Sequence, residues 1–339
     1  MDAMKTPLPS IMHAVRQHSP DGKLVVETLP IPQPGAGEVL VRMAASPINP
    51  SDLALLRGGY MNRSYPFTPG LEGSGVVVAS GGGLLARMRK GKRVACTPHP
   101  EGDGTWAEFM LTSAMRTIPL PASITLEQGA MTVVNPMTAL AFFHMARTGK
   151  HPAMVNNAAA SSLGKMLIRL SVDHGIPLIN IVRNPSHVKE LKNLGATYVL
   201  NSEDKGFETE LTNLASELGA TLFLDAISGP HTSRLLEAAP PRSTLVVYAR
   251  LAGDSMQVNS GHLIRKDIKI EGFQLGNWLQ TKGILFKLAF VKQMKKQLGN
   301  ALSSHIRQTY SLEDVEMAIA HCTKNMSSGK VLLLIKQKD

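Results

Sequence analysis

Ala153-Met154-Val155, followed by Asn156-Asn157-Ala158-Ala159-Ala160-Ser161-Ser162-Leu163-Gly164, is the stretch whose reading decides the fold. It opens as a short apolar run with the character of a buried strand and continues as a tight turn of small residues. Met166, Leu167 and Leu170 then recur at helical spacing, Gly175-Ile176-Pro177 stops the helix, and Leu178 to Val182 is a second apolar run. Strand, turn, helix and strand make the unit that feeds a parallel sheet. The free N–H groups and dipole of such a helix N-terminus favour a pyrophosphate.

The glycine fingerprint of dinucleotide-binding turns is only partly present. Gly164 stands where the third glycine allows close helix–strand packing, while Ala159 and Ser162 occupy the places of the first two. Arg183 sharpens the reading, because it ends the second strand about 20 residues past the turn. An acid there would hold a ribose 2′-hydroxyl. An arginine suits a 2′-phosphate, with Asn184, Ser186 and Lys189 as helpers, so the expected cofactor is NADPH. The competing reading is an ordinary strand–helix–strand whose Arg183 faces solvent.

A chain of 339 residues predicts two domains, and its 43% hydrophobic content is ordinary for a globular protein. No apolar stretch approaches the roughly 20 residues needed to span a bilayer. The N-terminus carries Lys5 without an apolar signal core, and Cys96 and Cys322 stand alone, away from metal-ligand spacing. These features predict a cytoplasmic protein, or a mitochondrial-matrix one in a eukaryote, with no membrane partner. The net charge of +10 is spread along the chain with few aromatics, which argues against nucleic acid. It leaves either a solvated basic surface or one that attracts anionic substrates or an acidic carrier.

Ahead of the opening stretch, His13 to Gln17, Lys23 to Thr28 and Val39 to Ala45 read as strands. Pro47-Ile48-Asn49-Pro50-Ser51-Asp52 opens a short helix with Ser51 or Asp52 as its cap, and Gly58-Gly59-Tyr60-Met61 is a loop. Short strands punctuated by Gly and Pro as far as Pro121 predict a partly closed β-domain. Helix formers follow, Glu127 to Val134 and Thr138 to Ala146, with a break at Asn135-Pro136. Beyond the nucleotide unit, Leu222 to Ala226 and Leu245 to Ala249 read as buried strands. An amphipathic basic helix runs from Ile284 to Leu298, and Val331 to Ile335 is a closing strand.

This order resembles the medium-chain dehydrogenase/reductase superfamily over nearly the whole chain. The resemblance rests on Asn49-Pro50-Ser51-Asp52, Pro69-Gly70-Leu71-Glu72-Gly73-Ser74-Gly75, Gly91-Lys92-Arg93-Val94, Gly104-Thr105-Trp106-Ala107-Glu108 and Gly329-Lys330-Val331-Leu332. Where zinc members carry a cysteine and a histidine, this chain has Asn49 and Leu71, and the cysteine-rich structural lobe is missing. It is therefore similar to the zinc-free branch, and no metal is expected. The turn at Asn157 to Gly164, Val134-Asn135-Pro136-Met137-Thr138-Ala139 and Gly272-Phe273-Gln274-Leu275-Gly276-Asn277-Trp278 resemble 2-enoyl thioester reductases. The resemblance implies an α/β fold: a Rossmann-type doubly wound parallel sheet at 138–287, and a GroES-like, partly closed barrel at 1–137 with 288–339. It also implies a homodimer.

Reducing a polarised double bond requires hydride delivery, stabilisation of the resulting enolate and a proton. The resemblance assigns Tyr60 as the assisting donor; the alternative is a loop tyrosine packed on the surface. Asn49 is read as a catalytic amide or as a turn residue, and Thr138 as a phosphate or nicotinamide contact or a helix cap. Ala160, Ser161, Ser162, Leu163, Gly164, Arg183, Tyr248 and Lys330 complete the expected cofactor set, with Trp278 and Phe273 in the substrate pocket. Arg250 replaces a glycine of the stretch beside the nicotinamide, and Glu72 and Asp225 are read as structural. The substrate is then an activated alkene, most directly a 2-enoyl thioester. A quinone is the alternative, and a dinucleotide-binding protein without catalysis is the third reading. On the basic helix, Lys292, Lys295 and Lys296 are expected on one face and Leu285, Leu288 and Ala289 on the packing face.

Overall fold

The computed structural model describes residues 8–336 apart from Tyr60 and Asn62. Its first elements are β1 (Ile11–Gln17), β2 (Leu24–Pro30), β3 (Glu38–Pro47), α1 (Pro50–Leu56), β4 (Gly73–Ser80), α2 (Leu84–Arg89), β5 (Arg93–Cys96), β6 (Phe109–Ser113), β7 (Thr117–Pro119) and α3 (Leu126–Gly129). The middle of the chain comprises α4 (Val134–Thr148), β8 (Ala153–Asn156), α5 (Ser162–His174), β9 (Leu178–Val182), α6 (Ser186–Asn193), β10 (Tyr198–Asn201), α7 (Phe207–Glu217), β11 (Ala220–Asp225), α8 (Pro230–Ala238), β12 (Thr244–Val247), α9 (Ser260–Lys266), β13 (Lys269–Gly272), α10 (Leu275–Gln280) and α11 (Ile284–Gln297). The last elements are β14 (Ile306–Tyr310), α12 (Val315–Lys324) and β15 (Lys330–Leu334).

The chain divides into two units. The first takes 1–134 and 304–339, the second 135–303. The expected return at 288 is thus corrected to 304, because α11 stays with the second unit. Its Phe286 and Phe290 pack on Trp278, with ring centroids 5.7 and 5.5 Å away.

In the first unit, β14-β15-β3-β4-β5-β7 form one sheet, with β6 pairing along the other half of β3. β3 can serve two neighbours because it is long: Glu38 to Arg42 pair with β6, and Ala45 to Pro47 with β15. Val39, Val41, Met43, Val77, Val94, Trp106 and Val331 fill the core between these strands. In the second unit every strand pairing is parallel and the order is β10-β9-β8-β11-β12-β13. Counted from β8, this is the 3-2-1-4-5-6 order of a doubly wound sheet, with its switch point between β8 and β11. Buried β8 and β9 are apolar on both faces, apart from Asn156 and Asn180, as a sheet covered on both sides requires.

Two local expectations are corrected. The cap of α1 is Asn49 rather than Ser51 or Asp52, and Asp52 sits in the first turn, where its carboxylate accepts the Asn49 N–H at 2.8 Å. Asn135-Pro136 does not break the helix formers. Pro136 lies in the first turn of α4, where its missing N–H costs no intrahelical bond.

Candidate functional site

The first unit holds a buried polar cluster at the start of α1. Asn49 is 1% exposed; its Nδ2 donates to Glu72 Oε1 at 3.0 Å, and its Oδ1 accepts from the Lys330 ammonium. Glu72 Oε2 accepts the N–H groups of Val133 and Val134 at 2.9 and 3.0 Å, so this carboxylate also holds the chain where it enters α4. Asp52 accepts from Asn49 N and, at 2.9 Å, from Leu71 N. The amide of Asn49 thus bridges a buried cation and a buried carboxylate. Burial pushes the Glu72 carboxyl up against the opposing charge of Lys330, and pushes the Lys330 ammonium down against Glu72. Burial likewise raises the Asp52 carboxyl to about 7, although its backbone donors oppose this.

These positions alter two sequence expectations. Asn49, expected as a catalytic group, has both ends of its amide engaged inside the unit. Lys330, expected at the cofactor phosphates, is 6% exposed and directs its ammonium onto Asn49 instead. A lysine following a glycine turn gives no sign in sequence of a partner 281 positions away. Leu71, where the zinc members place a histidine, contributes its backbone N–H. Among the described residues no group of three or more His, Cys, Asp or Glu side chains could hold a metal ion. Tyr60 lies outside the described residues.

The second unit presents a different arrangement at the switch point. Ser161 caps α5, its Oγ accepting Gly164 N at 3.1 Å. The following N–H groups at that end, from Ser162 and Leu163, lie in the first turn, where a helix has no partners for them. A Cβ on Gly164 would fall 2.3 Å from the Ala159 carbonyl oxygen, which is why this position keeps its glycine. At the end of β8, the buried Asn156 Nδ2 has no partner among the described residues, and Asn156 Oδ1 lies 3.5 Å from the Tyr248 hydroxyl. Burial and the nearby Asp225 charge push the Tyr248 phenol up, so it stays a donor.

Asp225, read as structural, organises the loop after β11. Its Oδ1 accepts from Asn157 Nδ2 at 2.6 Å and from the N–H groups of Ile227 and Ser228 at 2.9 Å, and its Oδ2 accepts the Thr232 hydroxyl at 2.7 Å. Sequence reasoning missed Asn156, Asn157 and Thr232. Two adjacent asparagines at a strand end were the available signal.

Arg183 is exposed beyond β9 and enters no ion pair among the described residues. Next to it, Asn184 Oδ1 accepts Ser186 N at 3.0 Å and shapes the entry to α6. Thr138 is buried inside α4 rather than capping it. Arg250 pairs with Asp254 at 2.8 Å, which draws its charge along its own loop. Phe273 and Trp278 belong to a chain of rings: Tyr248 to Phe142 at 5.0 Å, Phe142 to Phe273 at 4.8 Å, and Phe273 to Trp278 at 6.2 Å. Lys282 sits 4.9 Å over the Trp278 ring.

An open helix N-terminus, a glycine at the close approach and an orphaned buried amide donor fit a bound dinucleotide. Ser161 to Gly164 would cradle its pyrophosphate, and Arg183 would meet the ribose end.

Residues 35–122 match the alcohol dehydrogenase GroES-like domain, and residues 162–290 match the zinc-binding dehydrogenase model. The mitochondrial enoyl-[acyl-carrier-protein] reductase of Bos taurus is 31% identical over 270 residues, 77% of this chain and 71% of that one. The chain belongs to the medium-chain dehydrogenase/reductase superfamily, in its zinc-free branch. The crystal structure of a candidate NADPH:quinone reductase from Mesorhizobium loti is 30% identical, with a TM-score of 0.87, covering 97% of this chain and 100% of that one. A mycobacterial protein solved with NADPH shares the fold, with a TM-score of 0.80 at 24% identity over 95% of this chain and 99% of that one. As a member of this superfamily, the protein is an oxidoreductase that uses a nicotinamide dinucleotide.

Proposed function

We infer that this oxidoreductase uses NADPH to reduce an activated carbon–carbon double bond, and that its substrate is a 2-enoyl thioester. The observation that carries the reading is a chain of rings in which half-buried Tyr248, Phe273 and Trp278 are backed by the fully buried Phe142, an aromatic surface suited to an acyl chain. The similarity to proteins named enoyl-[acyl-carrier-protein] reductases supports it and extends it to a carrier-linked substrate. NADPH follows from the exposed Arg183, free of an acidic partner among the described residues.

When bound, the cofactor supplies a hydride to the β-carbon of the substrate. Negative charge then moves to the thioester oxygen, and a proton is added at the α-carbon. With no metal in this reading, a hydrogen-bond donor must meet that oxygen. Tyr60 is assigned to this role, and the Asn49–Glu72–Lys330 cluster holds the start of α1 in place.

NADPH consumption measured with 2-enoyl thioesters and with benzoquinones tests the reading. A larger kcat/KM for the thioester is expected, together with a Tyr60→Phe variant whose kcat falls about 10²-fold or more. Turnover of quinones alone would favour the quinone reductase reading, which the Mesorhizobium loti likeness supports. Tight cofactor binding without any turnover would leave a dinucleotide-binding protein without catalysis.

A further inference from the structure

Between Gly73 and Pro100 the chain carries Arg87, Arg89, Lys90, Lys92 and Arg93 and no Asp or Glu. Most of these residues lie on or beside α2, a short helix whose one buried side chain is Ala86. The other side of α2 turns apolar residues to solvent. Leu84 is 79% exposed and Met88 59%, one helical turn apart, with Leu85 beside them. Met115 adds a fourth at 71%, from the short 3₁₀ turn Ala114–Arg116 that packs beside α2.

The cations around these side chains divide in two. Arg89, Arg93 and Arg116 are committed to the fold: Arg89 donates to Thr117 Oγ1, Arg93 to the carbonyls of Ala122 and Ile124, and Arg116 to that of Pro98. Arg87, Lys90 and Lys92 are exposed and enter no ion pair among the described residues. Glu38 adjoins this segment through its backbone oxygen, which accepts Gly81 N. Its side chain turns back to accept Gly35 N at 2.9 Å.

We propose that α2 and the turn at Met115 form a peripheral docking surface for an anionic lipid bilayer. Side chains this exposed touch little of their own chain and stand out from the surface. A folded partner would need pockets matched to each of them, whereas an acyl layer receives them without one. The three free cations flank the apolar group as the headgroup layer of an anionic membrane would require. No helix among the described residues is long and apolar enough to cross a membrane, so the contact lies at the interface. The proposal departs from the expectation of no membrane partner.

Co-sedimentation of the full chain with phosphatidylcholine vesicles, with and without phosphatidylserine, tests the proposal. The wild type is expected to bind the anionic vesicles at least about tenfold better than the neutral ones, and less in high salt. Leu84→Asp with Met88→Asp should lose about tenfold or more on anionic vesicles. Arg87→Glu with Lys90→Glu should abolish the preference for phosphatidylserine. All of these side chains are exposed, so circular dichroism and thermal unfolding should match the wild type. Wild-type binding that is absent, or unchanged in both variants, overturns the proposal. So does salt-sensitive binding to polyglutamate without binding to anionic vesicles, which would assign the surface to an acidic protein.

Discussion

The polar groups of the first unit's cluster answer one another, whereas at the second unit's switch point several are left unanswered beside the closed Asn157–Asp225 network. Around Asn49, each buried charged group has hydrogen-bond partners: Lys330 meets the Asn49 amide, Glu72 takes three donors and Asp52 takes two. At the switch point, Asn156 Nδ2 has no partner among the described residues, the α5 N-terminus is capped only at Gly164 N, and Arg183 stands in solvent. The difference teaches how the two sets would act. A closed cluster fixes the backbone that carries it and gains nothing from a ligand. An open set is completed by one. Variants in the cluster should therefore register in stability, and variants at the open end in ligand affinity.

The largest effect expected is on the closed side. Glu72→Ala leaves the Lys330 ammonium buried without its counter-charge and removes the acceptor of Val133 and Val134. Breaking one member of a buried pair costs about 3–5 kcal/mol, which urea unfolding would read directly. Replacing both members, Glu72→Gln with Lys330→Met, should recover much of the loss. If the double variant is as unstable as the sum of the two single ones, the two charges do not act as a pair.

Next comes Asp52, whose carboxyl titrates near its ordinary 3.8 in the unfolded chain and at about 7 in the fold. Between those values the folded state binds the extra proton, so this group's contribution to stability falls as pH rises across the window, and is level above it. A shift of about three units bounds the effect at about 4 kcal/mol. Asp52→Asn removes the titration. The difference in Tm between variant and wild type should move in the variant's favour from pH ~4 to ~7. A constant difference would mean that Asp52 ionises normally in place.

On the open side, Arg183→Asp should leave thermal stability unchanged and lower the preference for NADPH over NADH. A charge-assisted phosphate contact is worth about 1.5–3 kcal/mol, so the ratio of the two dissociation constants should move by roughly ten- to a hundredfold. Equal wild-type affinity for the two cofactors would show that Arg183 meets no phosphate.

The open side was the more legible in sequence, and the reason is range. The strand, turn, helix and strand from Ala153 to Val182 are signalled by residues a few positions apart, and the structure forms β8, α5 and β9 there. Arg183 follows from counting along the same unit. The cluster joins Asn49, Glu72 and Lys330 from the two ends of the chain, and no local period encodes such a contact. Glu72 is readable as structural only through the resemblance of its surroundings. On α11 the helical period is legible in the sequence and the buried face is not. Leu285 and Leu288 are 80% and 61% exposed, while Phe290 and Met294 are buried. The rings of Phe286 and Phe290 stack on each other and on Trp278, and this larger apolar surface takes the inward side.

That correction sharpens the last and smallest prediction. Lys292 and Lys296 are exposed one turn apart, on the same outward side as Leu285 and Leu288, and no acid occurs from Gly272 to Leu312. In the thioester reading, this mixed apolar and cationic side would attract an acidic carrier or the phosphates of a coenzyme A substrate. A neutral quinone has nothing for it to attract. Exposed charge pairs contribute about 0.2–1 kcal/mol each, so Lys292→Glu with Lys296→Glu should raise KM for a carrier-linked enoyl substrate roughly two- to tenfold. High salt should shrink the effect, since these side chains are fully open to screening. Quinone turnover by the same variant should stay at the wild-type level, which separates loss of attraction from damage to the fold. If KM for the thioester does not move at low salt, the lysines of α11 serve only as a solvated face. The open side of the molecule then ends at the cofactor.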